Sequence, residues 1–323
     1  MKIIDAAEVR ELLPMDACIE AVAAAMAGVA AGTVQVPRRT FLPLESGEAL
    51  LLMPGVAREP NVYGAKIIGL HPDNPAQGRP AIQGFVALFD GDTGTPLCIV
   101  DGGALTSIRT AAASALATRL LARPDAATHG VFGTGALART HIEAIAVVRP
   151  CSRVRVWGRH LRKARALARE EAGRTGLQIE AVADPAEAAA CDVVSTVTGA
   201  AKPVLHGRWI RPGTHVNLVG AHSAGTREAD SDLIAAARVY TDLMESLLEE
   251  GGDVLIPMRE GRIDRSQVAG EIGEVLAGRL AGRTGGEEIT VYKSHGITAQ
   301  DLYAAHLAYT RALARGAGGG ASG

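Results

Sequence analysis

Two basic residues stand in surroundings that basic residues seldom occupy. Lys66 lies in the apolar, strand-like run VYGAKIIGLHPDNP, and Arg109 lies in the alanine-rich, helix-like run LTSIRTAAASALA. Charged side chains are rare among small and β-branched neighbours unless they pair with something. Only five of the 33 basic residues are lysines, so the lysine at 66 runs against the usage of the whole chain. Arg109, near the start of its helix pattern, is expected to add its charge to the positive end of the helix dipole. The residue types support two readings: a buried site for an anion, or two internal salt bridges.

A second set of residues could hold a phosphate. In ATHGVFGTGALARTHIEAI, an apolar run is followed by Gly133, Thr134 and Gly135 and then by a helical pattern from Ala136. Gly133 suits a tight strand-to-helix turn, and Gly135 lets the backbone approach a pyrophosphate at the helix N-terminus. Ala138 replaces the third glycine of the fingerprint, where close helix-to-strand packing asks only for a small residue. An ordinary strand-to-helix turn can present the same letters. The preceding strand and the repeating βα units that follow favour a dinucleotide site.

Such a site for NAD carries an acid about 20 residues on, at the end of the second strand, to bind the ribose 2′-hydroxyl. Here that strand is VRVWGRH, and the acid is missing. Gly158, Arg159 and His160 follow Trp157, with Arg162 and Lys163 just beyond. Guanidinium groups bind phosphate in a bidentate fashion, so the site is expected to prefer NADP(H), with NAD(H) possible. The alternative is a solvated basic start to a helix.

The elements that must position these residues follow from periodicity. Residues 8 to 31 read as helices broken at Pro14, with Ile19, Val22, Met26 and Val29 at spacings of three and four. From Ala49 the texture becomes strand-like, and GDTG between apolar segments marks a hairpin. Residues 102–122 form a helical pattern stopped by Pro124. Strands are then expected at 128–132, 154–157, 177–182, 193–197, 215–219, 239–242 and 288–293, mostly with helices between them. That alternation predicts an α/β fold with a doubly wound parallel sheet. The tail GAGGGASG is too rich in glycine to pack and is expected to be disordered.

The 323 residues suffice for about two domains, and 47% hydrophobic content is ample for buried cores. A net charge of -2, without a basic block, argues against nucleic-acid or membrane-surface binding. Cys18, Cys98, Cys151 and Cys191 are widely spaced, which suggests neither a metal site nor a disulfide framework and fits a reducing cytosol. The N-terminus lacks a signal-peptide pattern, and no run of about 18 apolar residues occurs. A cytoplasmic protein with small-molecule partners is the expectation.

The segments GAKIIGLHPDNP, LFDGDTGTPLCIVDGGALTSIRTAAASALAT, GTGALA, NLVGAHSAGTREAD and YKSHGITAQDL together resemble the ornithine cyclodeaminase and μ-crystallin family, over roughly residues 35 to 305. The resemblance implies a Rossmann-type domain, residues 123–298, inserted in an α+β substrate-binding and dimerisation domain, residues 1–122 plus 299–316. It leaves 317–323 as a tail and implies a homodimer. It also implies that Arg39, Lys66 and Arg109 hold a substrate carboxylate beside the nicotinamide. Arg39 is taken over Arg38 because the family arginine precedes a proline by four residues, here Pro43. Cofactor contacts are implied for Thr110, Gly133, Thr134, Gly135, Ala136 and Leu137. Further contacts are implied for Gly158, Arg159, His160 and Lys163, for Ser195, Thr196, Val197 and Thr198, and for Val219, Gly220, Ser294 and Gly296.

Family members share hydride transfer at an α-carbon bearing nitrogen and a carboxylate. The chain departs from the cyclodeaminase pattern at two places. Leu51 stands where a glutamate precedes L-M-P, and His222 stands where an aspartate follows the late V-G; both acids serve the amino groups of ornithine. A diamine would lose its acidic partners here. Leu137 also replaces the glutamine usual in the cofactor loop. The expectation is therefore an NAD(P)H-dependent oxidoreductase acting on the C=N or CH–NH bond of a small imino or amino acid. Ketimine or pyrroline-2-carboxylate reductases and alanine dehydrogenases are the models. Ornithine cyclodeamination with bound NAD is the first alternative, and a μ-crystallin-like NADP-dependent ligand-binding protein is the second. Lys66, His222 or an ordered water could deliver the proton.

Overall fold

The computed structural model describes residues 1–45 and 47–318. The chain divides into two compact units: Met1–Arg109 with the segment from Ile297 onward, and Thr110–Gly296.

The first unit is built on strands β1 (Lys2–Ile4), β2 (Val34–Gln35), β3 (Thr40–Pro43), β4 (Ala49–Arg58), β5 (Asn61–Leu70), β6 (Ile82–Asp90) and β7 (Pro96–Asp101). Its helices are α1 (Ala6–Leu12), α2 (Met15–Ala30) and α11 (Thr298–Gly318). The sheet order is β1-β7-β6-β5-β4-β2, with β3 also on β4. All pairings are antiparallel except β1 with β7. Pro14 separates α1 from α2, as the sequence pattern predicts. On β5, Val62, Gly64, Lys66 and Ile68 are buried in strict alternation, so one sheet face packs inward. α11 and α2 lie against each other, and α11 lies on β4, β5 and β6. α11 continues to Gly318, two residues into the segment expected as a disordered tail, and residues 319–323 of that expectation lie outside the described residues.

Helix α3 (Gly102–Leu121) carries the division: Arg109 ends the first part of the first unit and Thr110 opens the second. The second unit has strands β8 (Thr128–Phe132), β9 (Arg153–Trp157), β10 (Gln178–Ala181), β11 (Val193–Thr196), β12 (His215–Leu218), β13 (Ala237–Thr241), β14 (Val268–Glu271) and β15 (Ile289–Lys293). Its further helices are α4 (Ala136–Val148), α5 (Leu161–Thr175), α6 (Pro185–Ala189), α7 (Ser231–Ala236), α8 (Met244–Glu250), α9 (Gly252–Arg259) and α10 (Ile272–Leu276). All eight strands are parallel, in the order β10-β9-β8-β11-β12-β15-β13-β14. Successive residues Val131 and Phe132 enter different apolar clusters, one with Ile142, Val156 and Leu167 and one with Val194, Leu218 and Leu233. The sheet is thus covered on both faces, as a parallel sheet requires. Strand order reverses between β8 and β11, the switch point where such sheets bind ligands.

Candidate functional site

The first unit brings its buried charged residues together at α11. Lys66 faces inward on β5, in register with Met53 of β4 and Val86 of β6. Gly55 and Gly64 let α11 approach that face closely. A Cβ at Gly55 would lie 3.0 Å from Thr298 Cγ2, and one at Gly64 would lie 2.1 Å from the Ala87 carbonyl oxygen and 3.3 Å from Leu302 Cδ2. The first turn of α11 then presents Asp301, whose carboxylate gains from the positive end of the helix. Its Oδ2 lies 2.9 Å from Lys66 Nζ, and its Oδ1 accepts a hydrogen bond from Arg109 Nε at 2.9 Å. Arg109 also donates from a terminal nitrogen to Gln300 Oε1 at 3.0 Å. Lys66, Arg109 and Asp301 are 2%, 4% and 0% exposed. Internal ion pairs therefore exist, but two buried cations share one carboxylate, and the trio carries one positive charge in excess.

One expectation is corrected here. Arg109 is the eighth residue of α3 rather than part of its first turn, so the helix dipole adds little and the positive field is that of the guanidinium itself. The Lys66 ammonium is pushed down to about 8 mainly by burial, with Arg109 second and Arg39 a smaller contributor, while Asp301 opposes the shift. Arg39, half-buried just before β3, is thereby placed within electrostatic reach of Lys66. Leu51 shares the face of Lys66 and pairs with Ile68. Asp301 and Gln300 were not singled out by sequence reasoning. In the sequence they are an acid and an amide inside YKSHGITAQDL, one of the segments that carry the resemblance.

The second unit collects the other candidates just beyond the C-terminal ends of its strands. Gly133 follows β8 with φ +133, and a Cβ there would lie 2.8 Å from the Val197 carbonyl oxygen. Only glycine fits both demands. Its N–H donates to the Trp157 carbonyl at 2.9 Å, fixing the turn. Gly135 is the N-cap of α4, with no side-chain cap on the helix, and a Cβ on it would meet nothing within 4 Å. Open space over uncapped amides is what a pyrophosphate needs, so these residues fit a dinucleotide. Ala136 is exposed, Leu137 is half-buried and Ala138 is fully buried. Thr134 leans on Gly158, where a Cβ would lie 2.6 Å from its methyl carbon. Arg159, His160, Arg162 and Lys163 are all exposed at the start of α5.

Thr196 is buried and Val197 and Thr198 are half-buried at the end of β11; Val219 and Gly220 follow β12. Ser195, one residue further in, is sealed in the sheet with its hydroxyl 3.0 Å from His129 Nε2. Ser294 and Gly296 follow β15. The turn they form is held by Asp242, whose Oδ2 accepts the His295 and Gly296 N–H groups at 2.9 and 2.7 Å. Thr110 is buried at the start of this unit, and His222 is exposed on the loop after β12. The two candidate proton donors, Lys66 and His222, thus belong to different units. Among the described residues, no single helix is long and apolar enough to cross a membrane.

The doubly wound sheet, with its glycine turn and uncapped helix at the switch point, defines an α/β protein of the dinucleotide-binding type. The chain belongs to the ornithine cyclodeaminase/mu-crystallin family, whose model matches residues 1–316. A Delta(1)-pyrroline-2-carboxylate reductase from Bacillus cereus is 36% identical over 321 residues, covering 98% of each chain. An alanine dehydrogenase from Archaeoglobus fulgidus is 34% identical over 314 residues, covering 96% of this chain and 95% of the relative. The solved structure of Thermococcus litoralis Delta(1)-pyrroline-2-carboxylate reductase in complex with NADH and L-proline is similar with a TM-score of 0.95 at 35% identity, covering 98% of both chains.

Proposed function

We infer that the chain is an NAD(P)H-dependent oxidoreductase that reduces the C=N bond of a small α-imino acid, with a cyclic ketimine carboxylate of the pyrroline-2-carboxylate kind as substrate. The observation that carries this reading is the sharing of Asp301 by Lys66 and Arg109, both buried. Buried charge in excess is costly unless an ion of opposite sign arrives, and a substrate carboxylate is such an ion. Relatives at 36% and 35% identity over nearly the whole chain bear the name of the same reductase.

Arg109, Lys66 and Arg39 bind the carboxylate and so orient the imine carbon. Most of the rate gain from such a clamp is positional. When bound, the reduced nicotinamide supplies the hydride. Lys66 gives its proton to the imine nitrogen; at about 8 its pKa leaves it protonated at neutral pH yet far more willing to part with the proton than an ordinary lysine. Leu51, Met53 and Ile68 on the same face suit a hydrocarbon ring better than a second charged group.

NADPH is the preferred donor in this reading. Arg159, His160, Arg162 and Lys163 stand where an NAD-selective acid would be, and exposed cations suit a 2′-phosphate. The working form is a homodimer. On the outer face of the first sheet, Leu52, Ile67 and Phe85 form one cross-strand row, and Val56, Tyr63 and Phe89 form another. Leu52, Phe85, Val56 and Tyr63 are exposed large apolar residues, and such a patch on a sheet calls for a partner of matching shape. Four free, buried cysteines suit the reducing cytosol.

The test is a substrate survey that follows loss of reduced-nicotinamide absorbance with pyrroline-2-carboxylate, piperideine-2-carboxylate, and pyruvate plus ammonia. Rapid oxidation of NADPH by a cyclic imine is expected. Formation of proline and ammonia from ornithine with catalytic NAD would replace the reading with a cyclodeaminase. Tight ligand binding with no hydride transfer would replace it with a binding protein.

A further inference from the structure

At the ends of β11 and β12 lies a group of buried charges that neither the carboxylate clamp nor the phosphate turn uses. Glu228 is fully buried, with both oxygens engaged. Oε1 accepts from the Thr198 N–H and the Thr198 hydroxyl, each at 2.7 Å. Oε2 accepts from the Thr196 hydroxyl at 2.8 Å and the Gly220 N–H at 2.6 Å. Asp253, also buried, accepts the N–H groups of Glu228 and Ala229 at 2.7 and 2.9 Å through Oδ1. Its Oδ2 lies 3.1 Å from Lys293 Nζ, which donates to the Ala221 carbonyl at 2.7 Å.

We propose that Glu228 is the positioning residue for the nicotinamide half of the dinucleotide site, with Asp253 and Lys293 holding it and the loop after β12 in register. The proposal rests on the reading that the second unit binds a nicotinamide dinucleotide. With the pyrophosphate at the start of α4 and the adenosine ribose toward the residues after β9, the other half of the molecule extends toward β11 and β12. The segments after those two strands are the ones that Glu228 ties together.

The chemistry of the tie is specific. Four donors converge on one side chain, and only an ionised carboxylate offers four acceptor sites and no donor. A buried carboxylate is a poor means of stabilisation, because well-packed apolar replacements for buried ion groups are often neutral or better. Burial and the nearby Asp253 charge do push the Glu228 carboxyl above its ordinary range, against the opposing effect of Lys293. What the arrangement supplies is fixed geometry of the kind a binding site needs from its supporting residues. The two loops also touch directly: a Cβ on Gly220 would lie 2.0 Å from the Thr198 carbonyl oxygen and 2.6 Å from Glu228 Oε1. Neither loop can shift without the other.

Glu228→Gln keeps the shape and turns one acceptor into a donor facing an N–H or hydroxyl. The expected result, from equilibrium titration without imine, is at least about a tenfold rise in the Kd for NADPH. The Kd for 2′,5′-ADP, which carries only the adenosine half, stays unchanged. Amide exchange at Thr198 and Gly220 accelerates. Equal weakening of both ligands, or unchanged NADPH affinity in the folded variant, overturns the proposal. If Glu228→Gln does not fold, Thr196→Val removes a single donor without touching charge. A rise of about threefold in the NADPH Kd alone is then expected, and wild-type affinity overturns the proposal. A wild-type chain that binds neither NADPH nor NADH overturns the functional reading and this inference with it, whereas wild-type binding with an unaffected variant overturns the inference alone.

Discussion

Asp301 Oδ2 lies 2.9 Å from Lys66 Nζ in a place closed to water, while the other oxygen of the same carboxylate holds Arg109. Asp301 thus keeps two like charges together and raises the proton affinity of Lys66 against the pull of burial. Asp301→Asn keeps the shape and removes the charge. Leaving buried cations without their partner costs roughly 3–5 kcal/mol, so a clear fall in melting temperature is expected. The Lys66 pKa falls further below its wild-type value of about 8, and the alkaline limb of the rate profile moves to lower pH. An unchanged pH profile in the folded variant would separate Asp301 from the proton-transfer step.

The same pKa sets the pH dependence of the wild type. Lys66 is protonated below about pH 8 and neutral above it. Imine reduction needs the proton, so kcat/KM is expected to be level below that pH and to fall above it. Oxidation of the cyclic amino acid needs the neutral amine, so its rate rises through the same range. Lys66→Met removes both limbs and lowers turnover by at least about a hundredfold, with dinucleotide affinity intact. Near-normal activity in that variant would exclude Lys66 as the acid.

Coenzyme choice is read from Arg159 and its neighbours after β9. A hydrogen bond to a charged group contributes roughly 1.5–3 kcal/mol, so Arg159→Ala is expected to raise the KM for NADPH by about tenfold or more and to leave that for NADH alone. Steady-state kinetics with both coenzymes decides the matter. A wild-type preference for NADH above about tenfold would show that the basic cluster is only a solvated helix start.

The strands of the second sheet were legible because a parallel sheet buried on both faces writes itself as short apolar runs between helices. β14 was missed, since VAGE is short and carries little apolar pattern. So were β1, β2 and β3: β1 is defined only by pairing with β7, nearly a hundred residues away in the chain, and four-residue β3 is exposed throughout. Lys66 and Arg109 announced themselves as charges in apolar patterns. Their shared partner did not, because Asp301 lies 192 residues beyond Arg109 and no local periodicity records such a distance. Glu228 was hidden for another reason: in GTREADSD it reads as one more polar residue of a solvated loop, while the fold buries it completely.

Gly133 tests the phosphate turn independently of the chemistry. At φ +133 and with the Val197 carbonyl oxygen 2.8 Å from where a Cβ would sit, Gly133→Ala must move backbone rather than a flexible side chain. Strain of this kind costs roughly 1–3 kcal/mol. Reduced thermal stability and loss of NADPH binding are expected together, measured by melting curves with and without coenzyme. Gly135→Ala meets no atom within 4 Å in the free protein, so it should spare stability and weaken only coenzyme binding. Wild-type coenzyme affinity in both variants would place the pyrophosphate elsewhere.

The outer face of the first sheet decides the oligomeric state. Leu52 and Val56 project from β4 into two apolar rows separated by the row of Pro54, Ala65 and Ala87, and Tyr63 stacks on Phe89 with ring centroids 5.3 Å apart. Charges introduced there oppose burial against a second copy without entering the core, because the inward side of β4 carries Met53 and Ala57 instead. The double variant Leu52→Glu and Val56→Glu is therefore expected to sediment as a monomer while the wild type sediments as a dimer. Melting temperature falls as well if the partner subunit shields this face, since mass action then links assembly to folding. A wild-type chain that is monomeric at micromolar concentration would leave the apolar face without its proposed occupant.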